Sequence, residues 1–328
     1  MTVPYTRATA KDYAREHLRG IWAAAMTPFL PDLSLDEAGF RRNLRHWFHD
    51  LGIDGVFVAG KQGEFYALSL EERKRLCDIA VEEARAARRQ VIYSASDQNM
   101  DVVIELARHA EAAGADYIVV HAPVLHFVHD QADTLRAYYA RIGEATGLGI
   151  AMWSHPDSGY LMPPELCATI AREVPNVVAI KYSVPRPMYA ELTRLAGDAL
   201  IVSTASEEEW LDNILELGWR LYLCSAPPFL LQTAEDRRMR DYTDAAFAGR
   251  AEEARRISAS LEPVRRALKS SRPPGKPHAQ QKAWIERLGQ AAGPVRPPML
   301  ELTAAERDAV NRAFDGCGLT PAIRAAAE

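Results

Sequence analysis

The chain has 328 residues, 48% apolar and 25% charged, with a net charge of −5, enough for one large domain with an appendage or for two domains. An acidic balance without a basic face of interleaved aromatics gives no reason to expect a nucleic-acid partner, and without any run of about 18 apolar residues nothing should span a membrane. The polar start MTVPYTRATAKDYAREHLRG lacks a signal-peptide core, and Cys77, Cys167, Cys224 and Cys317 form no C-x-x-C pair, so a cytoplasmic protein with reduced thiols is expected.

Short apolar runs then alternate with amphipathic stretches. The strand candidates are residues 21–29, 55–60, 90–96, 117–123, 149–156, 177–183, 200–206 and 220–227. Helical patterns lie between them; SLEERKRLCDIAVEEARAA opens with Ser69 and Glu72 spaced as a capping box, and glycines 114, 147 and 218 suit helix C-caps. Eight strands each followed by a helix specify a parallel sheet covered on both faces, and eight repeats favour an α/β (β/α)₈ TIM barrel over an open doubly wound sheet. No Gly-x-Gly-x-x-Gly turn follows the first strand. From about residue 236 only helical patterns remain, at 236–271, 279–291 and 303–315, broken by SSRPPGKP. The expected organisation is an N-terminal extension over 1–17, a barrel over 18–235 and a C-terminal helical appendage over 236–328.

In VVAIKYS, Lys181 ends a β-branched run, although only seven of the 39 basic residues are lysine. Period two places Val177, Ala179 and Lys181 on one face and Val178, Ile180 and Tyr182 on the other. Barrel chemistry sits at the C-terminal strand ends, where Lys181 falls. A dehydrated amine favours its neutral form, a nucleophile able to form a Schiff base with a ketone. The other reading is a lysine reaching out of the mouth to pair with Glu64. In GKQGEF (60–65), glycines bracket two polar residues, either exposing N–H groups to a carboxylate or making an ordinary turn.

Several landmarks in order, GIWAAAMTPF, GVFVAGKQGEFYALSLEERKRL, HAEAAGADYIVVHAP, PNVVAIKYS and GPVRPPMLEL, make residues 18–305 resemble the dihydrodipicolinate synthase and N-acetylneuraminate lyase family of class I, Schiff-base pyruvate aldolases. DYAREHLRGIWA and the KY after the strand are similar to its hydratase-aldolase branch. The resemblance implies that Lys181 condenses with pyruvate or another 2-oxo acid, with no cofactor and no metal. It also implies that Gly60, Lys61, Gln62, Gly63 and Glu64 form the carboxylate-binding turn. Family members carry small hydroxyl residues where this chain has Lys61 and Gln62. They also carry a proton-relay tyrosine at the head of Y-x-x-P, where this chain reads WSHP with Trp153. Indole N–H only donates, so it cannot relay protons as tyrosine does. The second-carboxylate arginine has no match in DSGYLM, and Val124 and Leu125 stand where some members place another tyrosine.

His155, with a free pKa of about 6.5, and Tyr160 are the candidate replacements for the relay. Trp153, Leu125 and Phe127 suggest an apolar or aromatic substrate, with Ser206 a further contact at the seventh strand end. The expected function is a lyase performing aldol cleavage, condensation, hydration or dehydration on a 2-oxo acid, with an aldehyde as second substrate in the aldol direction. The first alternative is a barrel that binds a 2-oxo acid as sensor or scaffold. The second is a metal-dependent hydrolase using His121, His126, His129 and Asp130. A homodimer or homotetramer is implied by resemblance only.

Overall fold

The computed structural model describes residues 3–125, 131–223 and 225–319. Its eight strands are β1 (Gly20–Ala24), β2 (Gly55–Val58), β3 (Gln90–Ser94), β4 (Tyr117–His121), β5 (Gly149–Ser154), β6 (Val177–Tyr182), β7 (Ile201–Ser203) and β8 (Leu221–Leu223). All pairings are parallel, in the order 7-6-5-4-3-2-1-8, forming a (β/α)₈ barrel. At the seam between β7 and β8 a side chain joins the strands. Ser203 Oγ donates to the Leu221 carbonyl (2.8 Å) and accepts from Leu223 N–H (2.8 Å). Every strand stops short of the apolar run that announced it, and residues such as His155 and Ser206 turn into the mouth instead.

The helices are α1 (Ala10–His17), α2 (Glu37–His49), α3 (Leu70–Ala86), α4 (Met100–Ala113), α5 (Ala132–Ala145), α6 (Pro164–Glu173), α7 (Arg186–Ala196) and α8 (Trp210–Leu217). They continue with α9 (Pro227–Leu230), α10 (Arg238–Phe247), α11 (Ala251–Ser260), α12 (Glu262–Ser270), α13 (Pro277–Arg287) and α14 (Ala304–Asp315). Ser69 and Glu72 form the expected capping box, and Gly114 and Gly218 end their helices in the left-handed region. Gly147 does not. Helix α5 ends on extended Thr146, where Glu111 from α4 accepts from Gly147 N–H (3.2 Å) and Thr146 Oγ1 (2.8 Å). A Cβ on Gly147 would lie 2.8 Å from Glu111 Oε1, so this glycine makes room for a neighbouring carboxylate.

The barrel interior is filled by Trp22, Phe57, Ile92, Tyr117, Val119, Trp153, Ala179, Leu221 and Leu223. One parity expectation fails here. Val177 joins the outer core and Val178 the inner one, because the β5–β6 register shifts by a residue between Ile150 and Ala151. Beyond this irregularity the alternation resumes, with Ala179 in the inner cluster and Ile180 and Tyr182 in the outer.

The N-terminal segment closes the far end of the barrel. Tyr5, Ala10, Ala14 and Leu18 join the inner cluster, and Tyr5 Oη accepts from Gly149 N–H (2.9 Å) at the start of β5. The C-terminal helices reach the barrel mouth, where Leu268 of α12 and His278 of α13 share a cavity with Lys181. Sequence periodicity reports a helix's apolar stripe, not the surface that stripe covers.

Candidate active site

The cavity at the C-terminal strand ends has a volume of about 530 Å³. Adjacent strands bring His121, Trp153 and Lys181 into one row, through the partners His121↔Trp153 and Trp153↔Lys181. Lys181 is only 2% exposed. Its Nζ lies 4.5 Å from the Trp153 ring centre and 5.1 Å from that of Phe57. The lysine therefore does not reach out of the mouth, and Glu64 is not its partner.

The turn after β2 is built by close approach. Ala59 and Glu64 adopt left-handed backbone, and a Cβ on Gly60 would sit 2.5 Å from the Phe57 ring. Within the turn, Gly63 N–H and Phe65 N–H donate to the Gly60 carbonyl and Glu64 N–H to that of Lys61. Among the described residues no acceptor takes the N–H groups of Lys61 and Gln62. Two consecutive free amides suit an anionic oxygen. The Lys61 side chain pairs with Asp157 across the mouth. Gln62 lines the cavity, with its Oε1 buried and without a partner.

Glu64 has a different place from the rest of its turn. It is fully buried, 2.7 Å from Lys282 of α13, and accepts from Arg296 N–H (2.9 Å). Lys282 also donates to the Pro294 carbonyl (2.6 Å), and the Arg296 side chain binds Glu72 of the capping box (2.7 and 2.8 Å). The G-x-x-G-E turn is thus tied to the C-terminal segment by a buried ion pair, and the S-x-E-E box by a partly exposed one.

Of the other predicted residues, Trp153, His155 and Ser206 line the cavity. The Trp153 Nε1 proton is buried without a partner. Tyr160 and Leu125 are not brought there; both pack against the outer core. Tyr160 follows a 3₁₀ turn over Pro156–Ser158, and Leu125 lies past the end of β4. Phe127, His126, His129 and Asp130 lie outside the described residues. Sequence reading missed the roof, including Arg265, Leu268, His278 and Gln281. Arg265 is held by buried Glu207 (2.7 Å), which also accepts from Tyr242 Oη (2.6 Å).

His155 Nδ1 lies 3.1 Å from Asp157 N–H and 3.2 Å from Asp157 Oδ1, so the ring is anchored to Asp157 through that nitrogen. Burial, then the charges of Lys61 and Lys181 and neighbouring His121, hold its pKa down to about 4. His121 is likewise lowered to about 4, chiefly by burial, with Lys61 and Lys181 adding to it. Unfolded histidine titrates at about 6.5, so between those values the unfolded chain binds more protons. Acid should therefore weaken the fold progressively from about pH 6.5 down through about 4, and both rings should be neutral at pH 7. Imidazole NMR titration should give midpoints close to 4 for both; midpoints near 6.5 would contradict the burial seen here.

A lysine buried at the C-terminal end of the sixth strand, in one cavity with Lys61 and Gln62, has the placement of an amine nucleophile in a (β/α)₈ enzyme. Residues 17–316 match the dihydrodipicolinate synthetase family, and the chain belongs to it. It is 31% identical over 306 residues to a probable 5-dehydro-4-deoxyglucarate dehydratase of Methylobacterium radiotolerans, covering 91% of this chain and 95% of that one. It is 28% identical over 313 residues to a 4-hydroxy-tetrahydrodipicolinate synthase of Methanopyrus kandleri, covering 93% and 98%. Among solved structures, the dihydrodipicolinate synthase of Agrobacterium tumefaciens superposes with a TM-score of 0.77 at 27% identity, covering 92% and 99%. A prophage protein of E. coli K12 from the same family, in complex with pyruvate, superposes with a TM-score of 0.81 at 23% identity, covering 92% and 99%, a likeness of fold. The family's chemistry is that of Schiff-base, pyruvate-dependent lyases and dehydratases.

Proposed function

We propose that the Lys181 amine condenses with a 2-oxo acid whose carboxylate rests on the N–H groups of Lys61 and Gln62. The resulting iminium then drives carbon–carbon cleavage or loss of water from a hydroxylated substrate. The observation that carries this reading is the Lys181 Nζ buried beside two aromatic rings in the cavity at the C-terminal strand ends. Protonated nitrogen at C2 withdraws electrons and stabilises a carbanion at C3, so one intermediate serves both outcomes.

The cavity wall favours a polar substrate. Lys61, Gln62, His155, Ser183, Ser206 and Arg265 line it, side chains whose hydrogen bonds a hydroxylated 2-oxo acid can satisfy and an apolar or aromatic substrate cannot. Leu125, part of the reason for expecting an apolar substrate, packs against the outer core. The dehydratase activity in the name of the Methylobacterium relative supports the water-loss branch. By the same family membership, an assembly of identical subunits is expected.

Borohydride reduction in the presence of pyruvate, followed by intact-mass measurement, should show one reduced pyruvyl adduct per chain. If no member of a panel of 2-oxo acids is trapped, the Schiff-base reading fails.

A further inference from the structure

Among the described residues, five basic side chains and two acidic ones line the strand-end cavity, in a chain whose net charge is −5. We propose that two of the five, Lys269 and Arg272, bind a second anionic group at the far end of the 2-oxo acid. The substrate is then a 2-oxo acid that ends in a carboxylate or a phosphate. This proposal rests on the Schiff-base reading above and assigns that site its specificity-determining pair.

The other three already have a counter-charge or a role. Lys181 is the amine that meets the keto carbon, and the Lys61 ammonium pairs with Asp157. Arg265 donates from Nε and Nη2 to the two oxygens of buried Glu207 (2.7 and 2.8 Å) and from Nη1 to the Ser258 carbonyl (2.7 Å). Lys269, in the last turn of α12, and Arg272, just beyond it, are both exposed. Among the described residues neither takes part in an ion pair. With Glu207 matched by Arg265, Glu208 is the one remaining acid against these two cations.

A chain of hydrogen bonds holds this pair beside the carboxylate turn. His278 Nε2 is 2.9 Å from the Lys61 carbonyl, which fastens the start of α13 to the turn after β2. Two residues on, the fully buried Gln280 donates from Nε2 to the Leu268 carbonyl (3.0 Å) and to Ser271 Oγ (3.1 Å). Leu268 precedes Lys269 and Ser271 precedes Arg272, so Gln280 fixes the backbone on which both cations stand.

A cleft with an excess of one sign concentrates ligands of the other. The carboxylate at C1 occupies the turn and leaves the excess at Lys269 and Arg272 unmet. A second anion, carried beyond C3 on the same carbon chain, meets it. The cavity volume of about 530 Å³ lies in the range that holds ligands well beyond the size of pyruvate. Carboxylate and phosphate both accept charge-assisted hydrogen bonds from ammonium and guanidinium groups, so the two share this chemistry.

Borohydride trapping tests this without requiring turnover. The concentration that traps half of the protein is measured by intact mass for pyruvate, 2-oxoglutarate and 2-oxoadipate. Each diacid is compared with its neutral isostere, in which an isopropyl group replaces the distal carboxylate, and 2-oxoglutarate also with its distal phosphonate. Wild type should prefer a distal anion over the isostere, the preferred arm naming carboxylate or phosphate, and added salt should narrow the preference. In Lys269→Gln/Arg272→Gln the preference should fall by at least about fivefold, the combined worth of two exposed ion pairs. A preference kept by the double variant would overturn the proposal and leave Lys269 and Arg272 as helix-end charges. So would equal weakening of pyruvate and diacid, which would mark a structural role. A wild-type protein that traps pyruvate but prefers no distal anion refutes this proposal alone. One that traps no 2-oxo acid refutes the Schiff-base reading itself.

Discussion

Alanine at Glu64 or at Lys282 should each destabilise the fold by about 3–5 kcal/mol, because either change strands the remaining charge away from water. The two side chains are 0% and 2% exposed, respectively, and 2.7 Å apart. The Lys282 ammonium also lies 4.3 Å from the Phe29 ring centre. Arg296 adds its N–H to Glu64 and its guanidinium to Glu72 and the Leu33 carbonyl. The pair therefore fastens the carboxylate turn, the first turn of α3 and the C-terminal segment at one point. Equilibrium denaturation of Glu64→Ala, Lys282→Ala and the Glu64→Ala/Lys282→Ala pair checks this. The paired variant should recover a coupling of about 0.5–3 kcal/mol relative to the sum of its singles. Single changes costing less than about 1 kcal/mol, or strict additivity, would contradict a coupled buried pair.

Lys181→Met should leave the fold intact and remove the chemistry. Methionine nearly matches the lysine stem in volume, so the cost to stability should stay below about 1.5 kcal/mol, as for volume-conserving core exchanges. Without a nucleophile the iminium cannot form, and turnover should fall on the order of 10⁴-fold or more, as when a covalent catalyst's nucleophile is removed. Denaturation midpoints and turnover on a 2-oxo acid substrate, measured on the same preparation, separate the two effects. Comparable turnover in the variant would mean that Lys181 binds rather than reacts.

How much of this was legible in the sequence depended on how local each signal was. The eight strand starts were read to within a residue, because apolar runs and flanking glycines are local. The inward face of Lys181 followed from period two, but the same rule misplaced Val177 and Val178. A register shift depends on the neighbouring strand, which periodicity cannot see. Glu64 showed the same limit. The motif marked it as part of a binding turn, while its partner lies more than 200 residues away in sequence. One signal was available and unused. Lysine is scarce in this chain, and the scarcity that singled out Lys181 applies equally to Lys282 in QQKAW. His278 had no comparable mark, since nothing in SSRPPGKPH says that the chain passes over the barrel mouth.

Three lysines line the cavity: Lys61, Lys181 and Lys269. The most direct test is therefore to reduce the protein with borohydride in isotope-labelled pyruvate, digest it and locate the label by peptide mass mapping. The label should fall on the peptide containing Lys181 alone. Label on Lys61 or Lys269 instead, or no label at all, would contradict the assignment of Lys181 as the Schiff-base nucleophile.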